Sequence, residues 1–155
     1  MNPHIRRMIV LSAGVLIAMI GLSGADAQEP FEIRLFIDQN SLTLFVPALG
    51  TVSLEGLAFQ VQVGDETQTY PLRDFRAFGL PMSQLPTPIC LRIRRSGSNT
   101  PLPLSCPSNI TLTQDVIEGN VFWYDIGSST ARTILLVQIG AVFAFCPPGT
   151  ADCRV

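Results

Sequence analysis

Residues 31–46 read Phe-Glu-Ile-Arg-Leu-Phe-Ile-Asp-Gln-Asn-Ser-Leu-Thr-Leu-Phe-Val, and this stretch decides the fold class. Apolar residues recur at every second position on both sides of segment 38–41, which is rich in turn-forming residues. A period of two is typical of β-strands that are buried on one face, because successive side chains point to opposite sides of the strand. The stretch therefore predicts two strands joined by a turn.

The same alternation continues along the rest of the chain, and no helical periodicity longer than two turns is present. We count about nine short strands, a pattern that predicts an all-β sandwich or barrel forming a single domain over residues 28–155. Pro47 is expected to end the second strand because proline has no N–H to donate to a sheet. The apolar runs 134–137 and 142–145 are expected to be central strands that are covered on both faces.

The N-terminus has the three parts of a secretory signal peptide. A positively charged start is followed by an apolar run over residues 8–22 and then by small residues leading to Ala25 and Ala27. A signal peptidase that accepts this pattern cuts before Gln28. The run is shorter than the roughly 20 residues of a membrane-spanning helix, so we favour cleavage over retention as a membrane anchor. We expect residues 1–27 to be a signal-peptide helix and the mature protein to be secreted or extracytoplasmic, in the periplasm or at the cell surface.

Four cysteines follow the predicted cleavage site, and an even number in an exported chain indicates two disulfides. Of the three pairings that four cysteines allow, we favour the local one, Cys90–Cys106 and Cys146–Cys153. Residues 146–153 form a turn-rich loop whose ends can meet easily, and residues 91–105 are expected to form a hairpin inside the other disulfide. The alternative, a metal site of four thiolates, lacks the C-x-x-C pairs of such sites.

Two absences limit the chemistry of the chain. It has no lysine, and its single histidine, His4, lies within the predicted signal peptide. The mature protein would therefore lack an imidazole for acid–base catalysis and for metal binding, and an amine for a Schiff base. We expect no enzymatic activity, no metal and no cofactor. The net charge of −2 and the absence of a basic stripe predict no nucleic-acid partner.

Segment 36–63 resembles the early strands of lamin-tail-type immunoglobulin-like domains. Both run through a strand, a turn, a short V-x-L-x-G step and an aromatic-bearing strand, and the step here is Val52-x-Leu54-x-Gly56. The resemblance implies an immunoglobulin-like β-sandwich but no particular function, because such folds host many unrelated roles. Later segments are similar to uncharacterised exported bacterial modules, namely Leu80-Pro81-x-x-x-Leu85-Pro86, Cys90-Leu91-Arg92-Ile93 and Val121-Phe122-Trp123, followed by a C-terminal cysteine hairpin.

Two clusters are candidate binding surfaces. Phe122, Trp123 and Tyr124 form the densest aromatic group, which suits contact with sugar rings or a partner protein. The alternative is a tryptophan buried in the core of the sandwich. Arg92 and Arg94 alternate on a predicted strand, where they are expected to form a solvated sheet edge or an anion site.

The leading hypothesis is an exported, non-catalytic binding, adhesion or envelope-structural module whose partner is a protein or a glycan. Membrane contact is expected only through an uncleaved signal segment. One alternative is a carboxylate-based glycan hydrolase that uses Asp115, Glu118 or Asp125, since such enzymes need neither histidine nor lysine. Another is an inhibitor or partner-binding subunit of a second secreted protein, which an exposed apolar patch would favour.

Overall fold

The computed structural model describes residues 32–75, 79 and 81–154, and eleven β-strands lie within these ranges. The predicted signal peptide, residues 1–27, lies outside the described residues. In chain order the strands are β1 (Arg34–Ile37), β2 (Ser41–Val52), β3 (Leu57–Val63), β4 (Glu66–Pro71), β5 (Leu85–Arg95), β6 (Thr111–Val116), β7 (Tyr124–Asp125), β8 (Thr130–Ala131), β9 (Ile134–Gln138), β10 (Ala141–Cys146) and β11 (Asp152–Arg154).

The strands form two main sheets and a short ribbon. The five-stranded sheet has the order β11-β1-β2-β5-β6, the four-stranded sheet has the order β10-β9-β3-β4, and β7 pairs only with β8. All of these pairs are antiparallel except β5 with β6, which run parallel. The prediction of an all-β sandwich is confirmed. The described chain has eleven strands and not the nine or so expected. Strands β7, β8 and β11 are only two or three residues long, too short to show an alternating pattern in the sequence.

The alternating residues build the core, as their period of two predicts. Ile33, Leu35 and Ile37 are buried on one face of the first strand, and the alternating leucines of β2 are buried beside them. Residues of both sheets share one apolar cluster, so the two sheets pack face to face. The largest fully buried side chains of this cluster are Trp123, Phe59, Phe122, Ile33, Leu35, Leu42, Leu44, Leu54, Leu72, Leu85 and Leu91.

Asp38 builds the predicted turn between β1 and β2. Its Oδ1 accepts hydrogen bonds from the backbone N–H groups of Asn40 (2.7 Å) and Ser41 (2.8 Å). The Ser41 hydroxyl donates to the other carboxylate oxygen at 2.7 Å. A short acidic side chain that satisfies the backbone in this way holds the chain in a turn, which sets the register of the hairpin.

Pro47 does not end the second strand, and this expectation was wrong. Strand β2 runs on to Val52 and stays paired with β5, but the pairing shifts register between Val46 and Gly50. Gly50 adopts a φ of 112°, a conformation that residues with a side chain rarely reach. The irregularity leaves Pro47 outside the ladder, where its missing N–H costs no hydrogen bond.

The hairpin predicted inside the first disulfide is also wrong, because β5 pairs with the parallel strand β6 instead. A parallel pair needs a connection that returns along the full length of the strand, and residues 96–110 provide it. Cys90 and Arg92 lie on the face of β5 opposite to the core residue Leu91, yet both are buried. The connection therefore covers the outer face of the five-stranded sheet, and the Cys90–Cys106 disulfide fastens it there.

The second disulfide joins the two main sheets at one flank of the sandwich. Cys146 ends β10 of the four-stranded sheet, and Cys153 lies in β11 of the five-stranded sheet. Both disulfides have the pairing favoured from the sequence, and together they indicate an oxidising, extracytoplasmic environment. Within the described ranges, no helix combines the length and the apolar character needed to cross a membrane.

Of the two apolar C-terminal runs predicted to be central strands covered on both faces, only 134–137 is central, and its Leu135 is only partly buried. Strand β9 lies inside the four-stranded sheet, between β10 and β3. Strand β10 lies at the edge of that sheet, and its Val142 and Phe145 side chains are 63% and 59% exposed. Apolar character alone did not distinguish a central strand from an uncovered edge strand.

Candidate functional site

The predicted aromatic binding surface is mostly interior. Trp123 is fully buried, and its indole N–H donates a 2.9 Å hydrogen bond to the Asp38 carbonyl oxygen. Phe122 is also buried and meets the Trp123 ring edge-on, with 5.2 Å between the ring centroids. Tyr124 is half-buried and its hydroxyl donates to the Ser129 carbonyl oxygen. Phe122 and Trp123 belong to the core, as the alternative interpretation of this cluster held, because the chain fills the space between the two sheets here.

Arg92 does not lie on a solvated edge, and that prediction is corrected. Strand β5 lies between β2 and β6, and the Arg92 side chain is covered by the connection to β6, leaving 3% of the residue exposed. Its guanidinium donates to the Thr100 carbonyl oxygen at 2.8 Å. Burial lowers the pKa of Arg92, and the nearby charge of Arg94 acts in the same direction. Arg92 is thus an interior cation that ties down the connection, not part of a binding surface.

Arg94 lies on the partly exposed part of β5 and is paired with a carboxylate. Its Nε is 2.8 Å from Asp115 Oδ1, and its Nη2 is 3.0 Å from Asp115 Oδ2. This bidentate contact, with two parallel N–H···O hydrogen bonds, is the geometry in which arginine binds carboxylates most specifically. The hydrogen bond from Arg94 lowers the pKa of Asp115, so the carboxylate stays ionised and is poorly suited to act as a general acid.

We expect Asp115→Asn to reduce the acid sensitivity of the fold by a small amount. Because the folded-state pKa of Asp115 is lowered, the pair stabilises the fold above the ordinary range of an aspartate pKa, and this contribution is lost as the pH falls through the lowered value. Asp115 is about half exposed, so the loss of unfolding free energy at neutral pH should be below about 1 kcal/mol. Urea unfolding of both proteins between neutral and acidic pH measures this difference. A difference that grows towards low pH would contradict the assignment.

A groove opens between the edge strands β4 and β6, next to the buried aromatic residues. We call it the β4–β6 groove, and its volume is about 620 Å³. The Tyr70 ring lines the groove and stacks on the buried Phe122 ring, with 4.0 Å between centroids and 15° between planes. The Tyr70 hydroxyl donates to Gln68 Oε1 at 2.7 Å, which fixes the ring in place. The lining residues are Thr69, Tyr70, Pro71, Asp74, Phe75, Gln114, Asp115, Val116, Ile117, Asn120 and Phe122.

The groove combines an aromatic surface with a polar rim. The partly buried rings of Tyr70 and Phe75 provide the aromatic surface, with the buried Phe122 ring behind Tyr70, while Asp74 and Asn120 provide exposed carboxylate and amide groups. Its volume falls within the range of about 300–1,000 Å³ typical of small-ligand sites. Among the described residues, the lining offers the carboxylates of Asp74 and Asp115 and the amide of Asn120, which can hydrogen-bond to a neutral polar ligand.

This site could not be recognised from local sequence patterns. Phe122 belongs to the aromatic run, but Tyr70 and Phe75 come from a segment about fifty residues earlier. Only the packing of β4 against the chain that follows β6 brings them together. Of the carboxylates considered for catalysis, Asp115 lines this groove, whereas Glu118 and Asp125 line a smaller neighbouring groove.

The described residues contain no group of three histidine, cysteine, aspartate or glutamate side chains that could hold a metal ion. No protein-family model matches the chain, and no curated protein matches it with significant sequence similarity.

Proposed function

We propose that the protein is an exported, non-catalytic β-sandwich module that binds a neutral glycan segment in the β4–β6 groove. The observation that carries the proposal is the Tyr70 ring, held in place by stacking on the buried Phe122 ring, in the lining of a groove that also presents Asp74 and Asn120. Sugar rings present C–H groups to aromatic faces and hydroxyl groups to carboxylates and amides, so such a surface can satisfy both.

The states of the carboxylates support binding over hydrolysis. A glycan hydrolase needs one carboxyl group with a raised pKa as the acid and a second carboxylate facing it. The hydrogen bond from Arg94 lowers the pKa of Asp115, and the hydrogen bond from the Ser128 side chain lowers the pKa of Asp125. Glu118 is exposed in a 3₁₀ turn. These features favour a module that holds its ligand without cleaving it.

The cysteine chemistry supports the exported location. Two buried disulfides persist in an oxidising compartment, and the predicted cleavage before Gln28 would release the mature protein there. The proposal also includes secretion to the periplasm or the cell surface and a bacterial source. It includes the lamin-tail-type immunoglobulin-like relationship as well. A glycan of the cell envelope or of the extracellular matrix would be the accessible ligand in that location.

Binding to an array of neutral oligosaccharides, followed by titration in solution, tests the proposal. We expect saturable binding of at least one neutral oligosaccharide, and an affinity loss of about fivefold or more for Asn120→Ala or Asp74→Ala, because each removes one hydrogen-bonding side chain from the rim. Both residues are exposed, so neither change should disturb folding. The measurement is NMR titration of the isotope-labelled protein.

Asp65→Ala is the matched control, because Asp65 is an exposed carboxylate in the β3–β4 turn, outside the groove lining. Its affinity should equal that of the wild type. The proposal fails if no neutral oligosaccharide binds, or if the shifted resonances lie away from the groove. Release of shortened oligosaccharides during the titration would instead support the hydrolase alternative.

A further inference from the structure

Strand β10 differs from every other edge strand of the two main sheets in the described chain. Edge strands expose unpaired N–H and C=O groups, and monomeric proteins protect them with charged residues or proline. Glu66 and Pro71 lie in β4, Asp115 lies in β6, and Asp152 and Arg154 lie in β11. The sequence of β10, Ala-Val-Phe-Ala-Phe-Cys, contains neither a charge nor a proline. This edge therefore lacks the residues that normally prevent strand pairing.

The two large apolar side chains that β10 exposes among the described ones, Val142 and Phe145, lie on the same face of the sheet. Val142 pairs with Val137 and Phe145 pairs with Leu135, whereas Ala144 and Cys146 pair with the core residues Leu136 and Ile134. In a regular strand, residues three apart point to opposite faces. The register shift between Val142 and Ala144 removes this difference, so Val142 and Phe145 both point outward.

We propose that β10 pairs with β10 of a second copy of this chain, joining two four-stranded sheets into one continuous sheet of a two-fold symmetric dimer. Antiparallel self-pairing about the register shift places Val142 of each copy opposite Phe145 of the other. Each copy covers the exposed apolar side chains of the other, and no charged residue faces another charged residue.

A second copy suits this strand better than an unrelated partner for two reasons. The exposed pair is symmetric about the strand centre, which a two-fold contact requires. The strand is also uncharged, so it offers no charge pattern by which a different protein could be selected. The register shift limits the regular pairing to a few residues, so the dimer should be weak and should depend on concentration.

Sedimentation velocity of the purified, disulfide-bonded protein from about 5 µM to about 500 µM tests the proposal over the range of weak association. We expect the dimer fraction to rise with concentration. Val142→Lys and Phe145→Lys should each weaken association by about tenfold or more, because each places a charge on the paired edge. Both positions are more than half exposed, so the variants should fold, and circular dichroism verifies this.

Leu104→Lys is the matched control, because Leu104 is a fully exposed apolar residue on the β5–β6 connection. It should associate like the wild type. Hydrogen exchange at high and low concentration should show protection that rises with concentration in β10 and not in β4. The proposal is overturned if the wild type stays monomeric throughout, if both lysine variants associate unchanged, or if the protected amides lie in another strand.

Discussion

Trp123→Ala should lower the free energy of unfolding by about 4 kcal/mol, the largest effect expected of any single substitution considered for this chain. Two physical causes contribute to the loss. The fully buried indole leaves a cavity at the junction of the two sheets, and the Asp38 carbonyl oxygen loses its 2.9 Å hydrogen bond. Because Trp123 is the only tryptophan, urea unfolding has to be followed by far-ultraviolet circular dichroism.

One further variant compares the two causes, and a second is an exposed control. Trp123→Phe keeps an aromatic ring but removes the indole N–H, so it should cost less than Trp123→Ala and more than about 1 kcal/mol. Phe145→Ala removes an aromatic ring that is 59% exposed and should cost under about 1 kcal/mol. Equal losses for Trp123→Ala and Phe145→Ala would show that Trp123 is not a central part of the core.

The double variant Cys90→Ala/Cys106→Ala should lose roughly 3 kcal/mol of unfolding free energy. The disulfide closes a loop between residues 16 positions apart, and cross-linking restricts the unfolded chain more as the loop grows. Alanine suits both positions because the cysteines are fully buried. Urea unfolding under non-reducing conditions measures the loss.

The matched comparison is Cys146→Ala/Cys153→Ala, whose loop spans only 7 positions and whose expected loss is smaller, about 2.5 kcal/mol. Hydrogen exchange adds a readout of position. Loss of the Cys90–Cys106 bond should increase exchange in residues 96–110, because that connection is then held mainly by the hydrogen bonds of Arg92. Faster exchange elsewhere with no change in this segment would contradict the described role of the disulfide.

Features that depend on neighbouring residues in the chain could be predicted from the sequence. The period of two in residues 31–46 predicted β1 and β2 together with their buried face, and the Asp38 turn followed from local hydrogen-bonding chemistry. The local disulfide pairing followed from the short distance between cysteines along the chain. Each of these features is decided within a few residues or by a single loop.

Features that depend on distant residues could not be predicted. The burial of Arg92 requires the parallel pairing of β5 with β6, which in turn requires a long connection across the outer face. The burial of Phe122 and Trp123 depends on a gap between two sheets that exists only in the folded protein. No local sequence pattern predicts the β4–β6 groove, because its aromatic residues come from two separate segments of the chain.

The pairing of β1 with β11 has a consequence for biosynthesis. Leu35 lies opposite Cys153, and Arg34 Nε is 3.2 Å from Asp152 Oδ1, so residues separated by more than a hundred positions complete one sheet. A ribosome makes the chain from the N-terminus onward, so more than a hundred further residues must be made after β1 before its outer neighbour exists. A nascent chain that lacks residues 152–154 leaves the β1 backbone open on one side. This edge of the five-stranded sheet should therefore form only after residues 152–154 have been made, long after β1 and β2 can pair with each other.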